Sequence, residues 1–131
     1  MKIQVLRIPL PPSVNNLFFT TKKGGRAKKP EYEGWIAETM IRASIDLVAV
    51  TGYPVAVRID VMGGKDFNVR SDIANLEKAA TDTIVKVGIL KGDHVLCIND
   101  NRQVYNSMPG LVHSYATYTI FEPEESDAVA A

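Results

Sequence analysis

The sequence predicts an α+β fold, a mixed sheet with helices packed on it, in the element order β-α-β-α-β-β. Three features of the chain point there. "KIQVLRIPL" and "PVAVRIDVM" alternate apolar and polar residues as half-buried strands do. Two intervening segments repeat apolar residues at three and four, the period of a helix with one buried face. The chain then closes on two strand-like stretches separated by the turn-forming "SMPG". Its 131 residues suffice for one core and are short for two, and no internal repeat or low-complexity segment divides them.

The first strand is ended by Pro11 and Pro12, which cannot donate to a ladder. Residues 13–30 are expected to form a basic, flexible loop, long enough to be functional in its own right. From about Tyr32 to Val50, the positions Trp35, Ile36, Met40, Ala43 and Leu47 mark a helix, with Gly52 and Pro54 punctuating its end. Val55, Val57, Ile59 and Val61 give the next strand its core face. Gly63 and Gly64 open a polar loop, and a second helix runs from Asp72 to about Val87, closed by Gly88. "HVLCINDNRQVYN" and "LVHSYATYTIF" are expected to pair as a closing hairpin, with His94 as the first residue of its strand and His113 inside the last one. A single domain is expected over 1–121, followed by an acidic, disordered tail over 122–131.

At 46% hydrophobic and 23% charged residues the chain sorts with ordinary globular domains, and no apolar run approaches the ~20 residues of a membrane span. No membrane partner is therefore expected. A lone Cys97 excludes an internal disulfide and a cysteine metal cluster; it points to a reducing cytoplasmic setting and a small core residue. The formal charge of zero conceals an asymmetry. Residues 1–30 carry seven Lys or Arg and no acid, whereas the stretch from Phe121 onward carries four acids and no base. Without that stretch 15 bases face 11 acids, a surplus of four. Because local potential rather than total charge steers ligands, a polyanionic partner stays open.

The second helix, in "RSDIANLEKAATD", carries the chemistry. At ~100° per residue, Ile73, Leu76, Ala80, Thr83, Ile84 and Val87 share an arc about 100° wide, the expected core face. Asp72, Asn75, Lys78, Asp82 and Lys86 gather on the other side. The simplest account is a capped surface helix, with Asp72 as N-cap and Asp82–Lys86 as an i,i+4 pair. Asp93, isolated in "GILKGDHV", adds a carboxylate to the turn that follows. Acids at a helix start and a strand start converge if the helix packs across the sheet, and oxygen-only sites favour Mg²⁺. The basic N-terminal segment supplies what a phosphate backbone needs nearby.

"PPSVNN" after the first strand, "SDIANLEKAATDTIVKVGIL" on the second helix and "GDHV" at the next turn resemble the RusA family of Holliday junction resolvases, in element order over nearly the whole chain. That resemblance implies a homodimeric, often prophage-encoded endonuclease that binds branched, four-way DNA and cuts it with Mg²⁺, which Mn²⁺ can replace. It implies Asp72 and Asp93 as metal ligands and Asn75 as the motif asparagine. Lys78 would neutralise charge at the scissile phosphate, and Asn15 would lie near the site. Lys22, Lys23, Arg26, Lys28, Lys29 and Arg70 are the expected DNA contacts. A four-way junction is nearly two-fold symmetric, which suits a C₂ dimer with one site per chain.

The chain also departs from the family pattern. Ala74 stands where the motif has its second acid, and Gly92 where the later acidic pair has its first. The Arg run before the motif is thinned to "NVRS". Glu77 lies one helical turn beyond Ala74 and would have to restore ligand geometry from a different root. Three functions are therefore open: a resolvase impaired at Ala74, a junction-binding protein that does not cut, and a small α+β protein that binds an anion or protein partner through its basic loop. Trp35, Phe18, Phe19, Tyr115, Tyr118 and Phe121 are expected in packing, sheet-face or interface roles.

Overall fold

The computed structural model describes residues 1–12, 18–68 and 73–123. In chain order the elements are β1 (Lys2–Pro9), β2 (Phe18–Thr20), β3 (Arg26–Lys28), α1 (Pro30–Asp46), β4 (Val55–Gly63), α2 (Ile73–Lys86), β5 (Ile98–Ser107) and β6 (Tyr115–Glu122). β1, β6, β4 and β5 lie side by side in that order as a mixed sheet: β6 is antiparallel to both neighbours, and β4 runs parallel to β5. The fold is thus α+β with two helices and a mixed four-stranded sheet, as the periodicities predict.

Register explains which residues form the core. Val57, Ile59 and Val61 of β4 stand opposite Ile120, Tyr118 and Ala116 of β6, and Leu6 and Ile8 of β1 oppose Tyr118 and Ala116 in turn. All of them are buried to within 1%. Their neighbours on the opposite face, Ile3, Val5 and Arg58, are exposed. Period-two alternation therefore gives the sheet one dry face. α1 packs on β1, and α2 packs on α1 and β5. Trp35 is buried in that core and donates its indole N–H to the Pro9 carbonyl at 2.8 Å, so a packing residue also ties α1 to β1. Cys97 is buried as expected.

Three boundaries differ from expectation, each for a physical reason. Part of the supposed flexible loop is a hairpin. β2 pairs with β3, and Thr21 closes the turn by backbone and hydroxyl bonds to Gly25. Gly24 at φ +83° supplies the left-handed residue that a three-residue hairpin loop needs. α1 stops at Asp46 instead of Val50, because the Gln4 side chain captures residue 48 as a strand would. Its carbonyl accepts from the Val48 amide at 2.8 Å and its amide donates to the Val48 carbonyl at 3.0 Å. His94 belongs to a turn, since its carbonyl accepts from the Cys97 and Ile98 amides, and β5 starts only at Ile98.

The largest correction concerns the closing hairpin. β5 and β6 do not pair; β4 lies between them. Residues 108–114, including His113, form a connection across the end of β4, pinned by bonds from Met108 to Gly63 and from Lys65 to Leu111. Asp66 accepts from both the amide and the hydroxyl of Ser114, at 2.7 and 2.6 Å.

Glu122, expected in the tail, is the last residue of β6 and is buried. Its Oε1 accepts from the Thr51 amide, the Thr51 hydroxyl and the Gly52 amide at 3.0, 3.1 and 2.7 Å. Burial pushes this carboxyl up, but the amide and hydroxyl donors together outweigh it and hold it below the ordinary value. A lowered carboxyl contributes stability that is complete above the unfolded pKa, ~4.3 for Glu, and is lost as pH falls through the lower folded value. Glu122→Ala is predicted to cost about 1.5–3 kcal/mol at pH 7, read by urea unfolding. The gap to wild type should narrow at pH 3; an equal gap at both pH values would refute the account.

Candidate active site

The polar side of α2 faces the start of β5 across a cavity of about 330 Å³. α2 contributes Asn75, Glu77, Lys78, Thr81 and Asp82, the turn after it contributes Asp93, and β5 contributes Ile98 and Asn101. Three residues singled out in the sequence, Asn75, Lys78 and Asp93, therefore share one cavity although Asp93 comes from a separate segment. Register accounts for Asn101: as the partner of Val57 it points to the helix side of the sheet. α2 is closed by Gly88 at φ +88°, and the Ile89 amide bonds back to Ile84, so the chain turns at once toward Asp93.

Of the other expected site residues, Asn15, Arg70 and Asp72 lie outside the described residues, as does the segment 124–131. Residue 74 lies in the first turn of α2. With Ala74 as origin, ~100° per residue puts Glu77 at about −60°, Thr81 at −20°, Lys78 at +40°, Asp82 at +80° and Asn75 at +100°. A Cβ at Gly92 would meet the His94 ring at 3.2 Å, so an acid there would need that exposed ring to move.

The buried side of α2 is broader than its apolar pattern. Besides Leu76, Ala80, Thr83 and Ile84, the helix buries Ala79, Glu77 and Thr81, an arc of roughly 200° instead of 100°. Glu77 and Thr81 sit where the core side and the cavity side meet. Glu77 is only 8% exposed. Thr81 donates its hydroxyl to Glu77 Oε1, and the Tyr118 hydroxyl lies 2.8 Å from the same Thr81 oxygen. Thr81 has one hydroxyl proton and directs it to Glu77, so Tyr118 is the donor to Thr81. Burial raises the Tyr118 hydroxyl pKa far above its usual value; the bond to Thr81 works against this and the Glu77 charge adds to it. Sheet, helix and cavity are joined through these three side chains.

The outer part of the cavity is wetter. Lys78 lies 3.9 Å from Asp82 with both side chains substantially exposed, an i,i+4 pair of the weakest kind. Lys78 thus takes the place expected of Lys86 as the partner of Asp82. Asp93 and His94 are exposed. His94 accepts the Leu96 amide on Nδ1 at 3.3 Å and holds Nε2 3.7 Å from the Cys97 sulfur, so its ring serves its own turn.

The basic residues expected to touch DNA are carried by the hairpin. Lys22 and Lys23 occupy its turn, Arg26 and Lys28 lie on β3, and Lys29 is the residue before α1. Lys22, Lys23, Arg26 and Lys28 are exposed.

The donors around the cavity, Asn75, Glu77, Asp82, Asp93 and Asn101, offer oxygen and no sulfur or imidazole, which suits Mg²⁺. Among the described residues no group of three or more His, Cys, Asp or Glu is placed to hold a metal ion. A second cavity of about 400 Å³ is lined by Pro9, Leu10, Pro11, Asp66, Phe67, Asn68, Leu76, His113 and Ser114. Its carboxylate is already engaged: the Ser114 hydroxyl and amide, and then His113, hold the Asp66 carboxyl below its usual range. Among the described residues no helix is long and apolar enough to cross a membrane. Comparison of the chain with models of known protein families, and with curated proteins, found no match.

The sequence marks Glu77 by its place one turn beyond Ala74 but does not show that it is buried. The signal that could have marked it is Thr81, four residues on, a short hydroxyl able to meet it on the same face. The two hydroxyls and the carboxylate are predicted to act as a unit. Thr81→Val and Tyr118→Phe should each cost about 1–2 kcal/mol in urea unfolding. The double variant should fall short of their sum by about 0.5 kcal/mol or more; strict additivity would show the chain of bonds to be absent.

Proposed function

We propose that this chain binds four-way DNA as a cytoplasmic homodimer and is built as a RusA-like, Mg²⁺-dependent junction endonuclease, with cutting impaired by Ala74. The observation that carries this reading is the shared cavity of Asn75, Lys78 and Asp93, residues the family resemblance singles out from two separate segments. The ion held there, with Asp93 and Asp72 as its family-implied ligands, would neutralise phosphate charge and lower the pKa of an attacking water.

The chain's own residues divide the remaining work. Lys78, loosely held by Asp82, can turn its ammonium to a phosphate at little cost. Asn75, half-buried, offers an amide from a fixed helix position. The bases of the β2–β3 hairpin supply the backbone contacts that fix orientation without reading sequence. A missing catalytic acid would cost ~10²–10⁴-fold in rate, as single groups of this kind do. It would not cost affinity, since one less carboxylate repels phosphate less.

The second reading, a junction-binding protein that does not cut, is motivated by Ala74 and Gly92, which stand where the family pattern has acids. Cleavage of a labelled four-way junction in Mg²⁺ and Mn²⁺ tests both. Wild type and Ala74→Asp are expected to prefer the junction over duplex DNA, and Ala74→Asp to cut at least ~10²-fold faster. Equal affinity for junction and duplex would overturn the family reading; failure of both chains to cut while binding would leave the binding protein. Replacing Lys22 and Lys23 together by Ala should also flatten the dependence of log affinity on log salt, by ~0.9 for each phosphate that is no longer neutralised. An unchanged slope would take the hairpin turn out of the interface.

A further inference from the structure

We propose that the solvent side of α1 is the surface through which two copies of this chain pair, helix against helix and antiparallel.

Ile41 and Ile45 stand in the open, 62% and 77% exposed, one turn apart on α1. With Ile41 as origin, ~100° per residue puts Gly34 at about +20°, Ala37 at −40° and Ile45 at +40°. These four residues form one exposed stripe, opposite the buried Tyr32, Thr39 and Ala43. A surface helix normally carries polar residues on that side. Gly34 is also unexplained within one chain. Glycine inside a helix costs stability relative to alanine, and a Cβ at Gly34 would meet nothing within 4 Å. The missing Cβ matters only to a neighbour that comes close.

The order of the stripe fits a second copy of itself. Small residues occupy its first half and isoleucines its second. Turned antiparallel about a two-fold axis at mid-stripe, Gly34 meets the partner's Ile45 and Ala37 the partner's Ile41, so each bulky residue finds a shallow place. The flank agrees. Glu38 and Arg42, at about +60° and +100°, form an exposed i,i+4 pair that is worth little within one chain. In an antiparallel helix pair the same flank faces itself in reverse order, which sets each Glu38 against the partner's Arg42. Shape and charge are thus self-complementary in one arrangement. Lys29 directly precedes α1, so the two basic hairpins would stand at opposite ends of a helix pair about 25 Å long. Such a pair buries less than ~1,200 Å², the low end for specific interfaces, so the dimer is expected to dissociate on dilution.

For its use the interface rests on the homodimer of the proposed reading, but the contact is tested without DNA. Sedimentation equilibrium of the full chain over a range of concentrations is expected to show monomer and dimer in exchange. Ile41→Glu and Gly34→Leu change exposed positions, so far-UV circular dichroism should stay that of wild type while the dimer weakens at least ~10-fold. Glu38→Arg and Arg42→Glu should each weaken it alone, and mixing the two chains should restore it as a heterodimer. A pair that acts only within one chain cannot be mended by a second chain. A chain monomeric at every concentration, a dimer that Ile41→Glu leaves unchanged, or no recovery on mixing would each overturn the proposal. Junction binding, followed in parallel by gel shift, keeps the two ideas apart. A dimer lost in Ile41→Glu, with no junction preference in wild type, supports the interface and sinks the nuclease. A junction-preferring dimer that Ile41→Glu leaves intact does the reverse.

Discussion

The parallel pairing of β4 with β5 is the constraint on which the site depends. Parallel neighbours cannot be joined by a tight turn, so the chain must cross over, and α2 is the crossover. Its apolar side is taken up by the sheet and α1, which leaves its polar side to lean over β5. The return from helix to strand then delivers Asp93 to that same side. The pairing of Val57 with Asn101 turns an amide toward the helix from an edge strand. β6 does not take the open side of β5. β6 fills the slot between β1 and β4 instead, and the Asp66–Ser114 bonds hold the long connection that results.

Within this frame Glu77, Thr81 and Tyr118 mark the seam between core and site. Tyr118 is fully buried and opposes both Leu6 and Ile59, so it belongs to the hydrophobic core by packing. Its hydroxyl is nonetheless needed by Thr81. Glu77 lines the cavity while accepting from Thr81, so its carboxylate stands at the boundary between core and cavity.

How far the sequence can be read depends on how much of each element faces the core. β4 sits between two strands with one face wholly dry, and its Val-x-Val-x-Ile-x-Val alternation is plain. β5, at the sheet edge, exposes most of its residues, so its pattern places the start four residues too early and suggests the wrong neighbour. β2 and β3 have three residues each, too few to show a period. α1 ends early because of Gln4, 44 residues away in the chain, which no local pattern reports. In the site, Asn75, Lys78 and Asp93 are legible as polar residues at one helix face and one turn. The burial of Glu77 is not, because helical position separates the centre of a polar face from its margin only when the width of the buried arc is known.

The hairpin alters the physics expected of the basic segment. A flexible loop that orders on binding loses much of its electrostatic gain to conformational entropy, about 1–2 kcal/mol per residue fixed. Here the Thr21–Gly25 bonds and the Gly24 turn already fix the backbone between β2 and β3. The side chains at Lys22 and Lys23 therefore begin from a set spacing, and a polyanion meeting them has mainly side-chain freedom to remove. A preset pair of cations tolerates only certain phosphate spacings. Under the proposed reading, a segment that reads as an unspecific basic loop would contribute shape as well as charge, and shape is what separates a branched polyanion from a straight one.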